Sequence, residues 1–190
     1  KVVRFIRIMT NNLSGVPSVV FGLFGMSLFV NALGWGDSII AGSFTLALMS
    51  LPLIIRTTEE ALKSIDDSFR HGSLALGATK LQTIRRVVLP MAFPNIIPGL
   101  ILSVGRVSGE TAPILFTVAA YFLPQLPGSI FDQCMALPYH LYVISTSGTD
   151  IEASRGMAYG TALVLIAIVL VVNLLANLLR NYFAKKVKMN

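Results

Sequence analysis

Long apolar runs separated by short polar stretches dominate this chain. The first, Val16–Leu33, has Ser18, Ser27 and Asn31 as small polar insertions. The second covers Ser38–Ile55, the third Met91–Leu123 and the fourth Gly156–Leu179. The first, eighteen residues long, just spans roughly 30 Å of hydrocarbon as an α-helix with a rise of about 1.5 Å per residue, and the others are as long or longer. Four helical spans are predicted. Pro52 sits near the end of the second, where a kink is tolerated when neighbours satisfy the freed carbonyl. The third run differs from the rest. Pro94, Pro98, Gly99, Gly105, Gly109 and Pro113 interrupt it, and Arg106 and Glu110 lie inside it.

The segments between the runs complete the outline. Gly34-Trp35-Gly36-Asp37 reads as a tight turn with an interfacial Trp. Thr57 or Thr58 ahead of Glu59 and Glu60 predicts a helix N-terminus, with a hydroxyl cap and carboxylates against the dipole. Gln125–Arg155 is a long connection flanked and punctuated by Pro124, Pro127 and Pro138, and its part Ile130–Ile144 is expected in the membrane interface or as a re-entrant segment. The predicted order is a basic juxtamembrane segment at 1–15, two spans at 16–55 and a polar loop at 56–90. A span carrying Arg106 and Glu110 at 91–123, a second loop at 124–155, a span at 156–179 and a basic tail at 180–190 follow.

Composition places this outline in a membrane. Of 190 residues, 54% are hydrophobic and 13% charged, against about 25% charged in an ordinary soluble domain; the mean hydropathy is +0.74. The fold class is therefore an all-α, polytopic bundle of transmembrane helices. The net charge of +6 would also suit nucleic acid, but its distribution argues otherwise. Lys1–Ser14 holds three bases, Arg56–Pro90 six and Arg180–Asn190 four, so thirteen of the fifteen fall on one side of a four-span topology. Arg155 alone falls on the other side. By the positive-inside rule the 56–90 loop and the C-terminus are expected in the cytoplasm. Cys134 is the only cysteine and His71 and His140 lie far apart, so no disulfide and no metal cluster is expected. The chain starts at Lys1 rather than Met and is expected to be part of a longer one.

Two stretches carry candidate chemistry. In Arg70–Pro90 the apolar Leu74, Leu81, Ile84 and Val88 recur at helical spacing, and Gly77 interrupts them. Two short amphipathic helices joined at Gly77 are predicted, lying on a membrane face and presenting a surface to a soluble partner. The alternative is a plain loop whose Lys and Arg snorkel to headgroups. The second stretch is Arg106-Val-Ser108-Gly-Glu110-Thr111-Ala-Pro113. A charge near mid-bilayer costs roughly 2.5–3.5 kcal/mol on insertion scales. Residues at i and i+4 share a helix face, so Arg106 and Glu110 either neutralise each other inside the bundle or line a polar path for an anion. The two roles are compatible, since a guanidinium offers a fork of donors to a phosphate-like oxyanion.

The first stretch resembles the signature loop of ABC-importer permeases. That loop reads Glu-Ala-Ala, three residues, Gly, nine residues, then Ile-x-Leu-Pro. Gly77, Leu89 and Pro90 stand at this spacing, Val87 replaces the Ile, and His71-Gly72-Ser73 replaces the acidic triplet. Gly109–Thr117 with Arg106 ahead of it, Gly15–Gly25 and Leu51–Glu60 are similar to the A-type permeases of phosphate (Pst) ABC importers. The resemblance implies a type I permease fold with six spans, two of them N-terminal to this chain. It implies that His71, Ser73, Leu74, Gly77, Ala78, Thr79, Leu81, Leu89 and Pro90 belong to the loop that couples to an ATPase. It further implies a substrate path through Arg106, Ser108, Glu110 and Thr111, and the bacterial inner membrane as location. The implied partners are a second permease, two ATPase subunits, an extracytoplasmic phosphate-binding protein, inorganic phosphate and the lipid bilayer, with no nucleic acid.

Enzyme signatures are absent from the sequence. It has no Gly-x-x-x-x-Gly-Lys-Ser/Thr loop, no nucleophile elbow and no His-Glu-x-x-His. ATP and Mg2+ are therefore expected on the partner ATPase, with no cofactor in this chain. The rival readings are a permease for sulfate or molybdate, which would share the coupling loop, and an ion-coupled carrier or channel with Arg106 and Glu110 as its gate.

Overall fold

The computed structural model describes residues 2–147 and 151–188. Its elements are helical throughout: α1 (Val2–Ser14), α2 (Ser18–Gly25), α3 (Ile39–Lys63), α4 (Asp67–Ala75), α5 (Lys80–Thr83), α6 (Leu89–Val107), α7 (Ala112–Leu115), α8 (Leu137–Thr146) and α9 (Ile151–Lys188). Two π-helical stretches extend this set, Met26–Ala32 after α2 and Ile84–Val88 between α5 and α6. Among the described residues, three stretches are long and apolar enough to cross a membrane: Ile39–Lys63, Lys80–Val107 and Ser154–Leu178. The pair Val2–Ser14 and Ser18–Ala32 would make a fourth span if counted as one, but it is bent by 106°. Pro17 stands at that bend, where the residue before a proline is pushed away from helical dihedrals.

Two bounds differ from those read in the sequence. The second run does not end at Ile55. α3 continues through Pro52 to Lys63, so Thr57 caps no helix and its hydroxyl donates back to the Leu53 carbonyl at 2.9 Å. Pairing of Arg56 with Glu60 and of Glu59 with Lys63, both at i,i+4, supports the added turns. The third run is not one helix over 91–123. Pro94, Pro98 and Gly105 are all accommodated, yet α6 stops at Val107. A continuing helix would drive the Pro113 ring into the carbonyl of residue 109; the chain turns at Ser108-Gly109 instead, and Pro113 enters the first turn of α7, where its missing N–H costs nothing. Within the 124–155 connection, α8 occupies Leu137–Thr146.

The chain divides into two compact units. In the first, Lys1–Pro52 with Gly105–Val171, close backbone approach sets the packing. A Cβ on Gly22 would come within 3.0 Å of the Ala112 carbonyl, so α2 lies directly on α7. Thr45 of α3 fills the space over Gly25, and Val118 that over Gly42. Phe29, Trp35 and Phe44 form an aromatic trio with centroids 5.3–5.7 Å apart. The Ser38 amide donates to Thr117 O at 2.9 Å, and Ala119 and Cys134 form a single parallel bridge. Burial there pushes the Cys134 thiol up. In the second unit, Leu53–Val104 with Val172–Asn190, Ala61 of α3 and Ile65 just after it pack on Ala92 and Ile96 of α6, with Leu62 and Met91 around them. Thr57 closes over Gly99 here.

Candidate functional site

The elbow begins where α3 ends. Asp66 caps α4, accepting from the Ser68 amide at 2.8 Å, and that bond holds its carboxyl below the usual carboxylate range. Arg70 of α4 reaches back and donates to the Leu62 carbonyl at 2.6 Å while pairing with Asp67. α4 thereby stays against the end of α3. The reversal falls at Gly77, with φ of +83°, a conformation that side chains with a Cβ resist. Thr79 then opens α5 with a capping box: its hydroxyl accepts from the Gln82 amide and the Gln82 side chain accepts from the Thr79 amide.

Ser73 of α4 and Thr83 at the end of α5 share a hydrogen bond of 3.0 Å, so the two short helices are locked across the turn. Leu62, Arg70, Leu74, Lys80, Thr83, Ile84 and Val88 line a cavity of about 410 Å3 between them and α3. The π-helical turn Ile84–Val88 joins α5 to α6, with the Leu89 amide reaching Ile84 O. Pro90 gives this widening a cause, because it has no N–H to return to the Arg86 carbonyl. Helix is nonetheless continuous from Lys80 to Val107.

The coupling residues named from the sequence gather in this one elbow. His71, Ser73 and Leu74 lie on α4, Gly77 and Ala78 in the turn, Thr79 at the N-cap of α5 and Leu81 on it, and Leu89 and Pro90 at the start of α6. Sequence reasoning missed Thr83, Gln82 and Leu76. Leu76 is 91% exposed and Leu81 73%, so two leucines project from the elbow tip. The capping-box spacing Thr79-x-x-Gln82 was the signal available for Gln82.

At its far end α6 carries Arg106 in the last turn. The following turn is closed by the Gly109 amide on Arg106 O at 3.3 Å and the Glu110 amide on Val107 O at 3.1 Å. It sets Glu110 beside Arg106, with Nε to Oε1 at 3.6 Å. The pair foreseen along one helix face thus forms around a helix end. Glu110 is the more buried partner, its side chain 16% exposed against 53% for Arg106. α7 fixes the far side of the turn, held by the Gly22 contact and by the buried Thr117 hydroxyl donating to Pro113 O at 2.7 Å. Ser108 lies in the turn, and Thr111 stands at the N-cap of α7. The arrangement presents a guanidinium and a carboxylate side by side at a break in an apolar helix.

The chain is 39% identical to the probable ABC transporter permease protein YqgI of Bacillus subtilis, over all of this chain and 68% of that protein. It is 41% identical to the phosphate transport system permease protein PstA of Mycobacterium leprae, over 90% of this chain and 56% of that one. With PstA 1 of Mycobacterium tuberculosis H37Rv the identity is 40%, over 88% and 54%. The chain therefore spans from about half to two thirds of the length of these relatives. A family profile for the binding-protein-dependent transport system inner membrane component matches residues 1–189, and the chain belongs to that family of multi-pass membrane permeases.

Proposed function

We propose that this chain is the membrane permease subunit of an ATP-driven importer of inorganic phosphate. The observation that carries the reading is the Arg106–Glu110 pair at the break after α6. A guanidinium at such a point offers several N–H donors to a tetrahedral oxyanion, and two relatives of similar sequence are named phosphate transport permeases. Arg106, Ser108, Glu110 and Thr111 are assigned to the substrate path.

The elbow at 70–90 is assigned to ATPase coupling through its projecting leucines. The bias of thirteen bases to one side supports a cytoplasmic elbow and C-terminus. The assembly would contain a second permease, two ATPase subunits holding ATP and Mg2+, and an extracytoplasmic phosphate-binding protein. ATP-driven closure of the ATPases moves the elbow, and the continuous helix from Lys80 to Val107 transmits that motion to Arg106, switching access from outside to inside.

Radiolabelled phosphate uptake in cells with and without the chain, competed with sulfate and molybdate, tests the reading. Uptake should depend on the chain, resist both competitors and vanish in Arg106→Ala while the protein still inserts. Normal uptake by that variant sinks the path, and competition by sulfate sinks the substrate.

A further inference from the structure

Glu110 stands 3.6 Å from Arg106 Nε and is the more buried of the two, so any anion that reaches the guanidinium also meets a carboxylate. From this geometry we infer that Glu110 is a specificity-determining residue, which admits only oxyanions that carry a proton. The inference rests on the substrate path proposed above and gives that path its selectivity.

Glu110 approaches the guanidinium from its Nε side. The terminal Nη edge adjoins that side in the same plane, so an oxyanion seated on it places an oxygen next to the Glu110 carboxylate. An ionised carboxylate only accepts. It meets a P–OH or As–OH as a donor and forms a short charge-assisted bond, whereas it meets a bare sulfate or molybdate oxygen as a second negative charge. At neutral pH phosphate and arsenate keep at least one proton, while sulfate and molybdate keep none. A site built around one obligatory hydrogen bond rejects an analogue lacking it strongly, by roughly 10^4-fold in favourable cases. The turn that carries Glu110 is fastened on both sides, by the amide bonds to Arg106 O and Val107 O and by α7 on Gly22, which fixes the backbone from which the carboxylate reaches Arg106.

The test is equilibrium binding of [33P]phosphate and [35S]sulfate to the purified importer complex without its binding protein, which removes the selectivity that protein would impose. Wild type should bind phosphate, with arsenate displacing it and sulfate not. Glu110→Gln supplies an amide that can donate to a bare oxygen; it should raise sulfate affinity and narrow the phosphate-to-sulfate ratio by about 10-fold or more. Glu110→Asp, which keeps the acceptor, should retain the preference. An unchanged ratio in Glu110→Gln, in a complex that still assembles, overturns the inference, as does wild type that binds sulfate as well as phosphate. Arg106→Ala separates the two levels. If it binds phosphate like wild type, or if wild type binds no phosphate at all, the substrate path itself is wrong.

Discussion

Ser73 and Thr83 meet hydroxyl to hydroxyl at 3.0 Å, and this contact ties the two short helices of the elbow to each other. Thr83 is buried, 4% exposed, so a variant that keeps its shape but not its oxygen leaves Ser73 short of a partner. Thr83→Val should cost about 0.5–1.5 kcal/mol of local stability. Amide exchange over Asp67–Thr83 should then rise roughly 2- to 12-fold. The double variant with Ser73→Ala should be no worse than Thr83→Val alone, since one bond is lost in either case. Strict additivity of the two would show that the contact carries no energy.

Gly77 isolates the backbone contribution to the same elbow. A Cβ there would meet nothing within 4 Å, and φ is +83°. Any cost of Gly77→Ala is therefore conformational, about 1–2 kcal/mol, and Gly77→Asn should cost less because Asn tolerates this region. The expected order of melting temperature in detergent is wild type, Asn, Ala, with co-purified ATPase falling in the same order. Equal stability of all three would mean the turn relaxes to another conformation.

How much of this was legible in advance follows from the kind of signal involved. The elbow could be read because its determinants are local: a Gly at the reversal, a Leu-Pro exit, a stripe of apolar residues. The nearness of Arg106 and Glu110 was legible from spacing, but the helix end between them was not foreseen, because an apolar run looks the same whether or not Pro113 can be tolerated in its next turn. Thr57 was misread for a related reason. Ahead of two glutamates it carries the marks of a cap, and only the packing of α3 against Gly99 of α6 keeps it inside a helix. Contacts between residues far apart in sequence, such as Gly25 with Thr45 or Gly42 with Val118, left no mark in the order of residues.

The Gly25–Thr45 contact gives a packing prediction. The Thr45 side chain occupies the position a Cβ on Gly25 would take, and it is held there by donating to Ala41 O at 2.8 Å. Gly25→Ala must displace it, at a cost of about 1–3 kcal/mol. Thr45→Ala removes the two nearest atoms and should recover part of that loss in the double variant. Thermal unfolding of the four proteins in one detergent completes the cycle. A double variant as unstable as the sum of the singles would place the strain elsewhere.

Asp66 gives the elbow an acid limit. The Ser68 amide donates to its carboxylate and lowers its pKa from the ordinary 3.8, because the bond favours the charged form. The folded value lies below the unfolded one, so the stabilisation is present above the ordinary value and is lost as pH falls below it through the folded value. Asp66→Asn keeps an acceptor oxygen at the cap but cannot titrate. Hydrogen exchange in α4, corrected for intrinsic rate, should therefore accelerate in wild type as pH drops below that point and change little in Asp66→Asn. Above it, wild type should be the better protected, since a carboxylate at a helix N-terminus also meets the dipole. Parallel pH profiles in the two proteins would assign the acid sensitivity of α4 to another group.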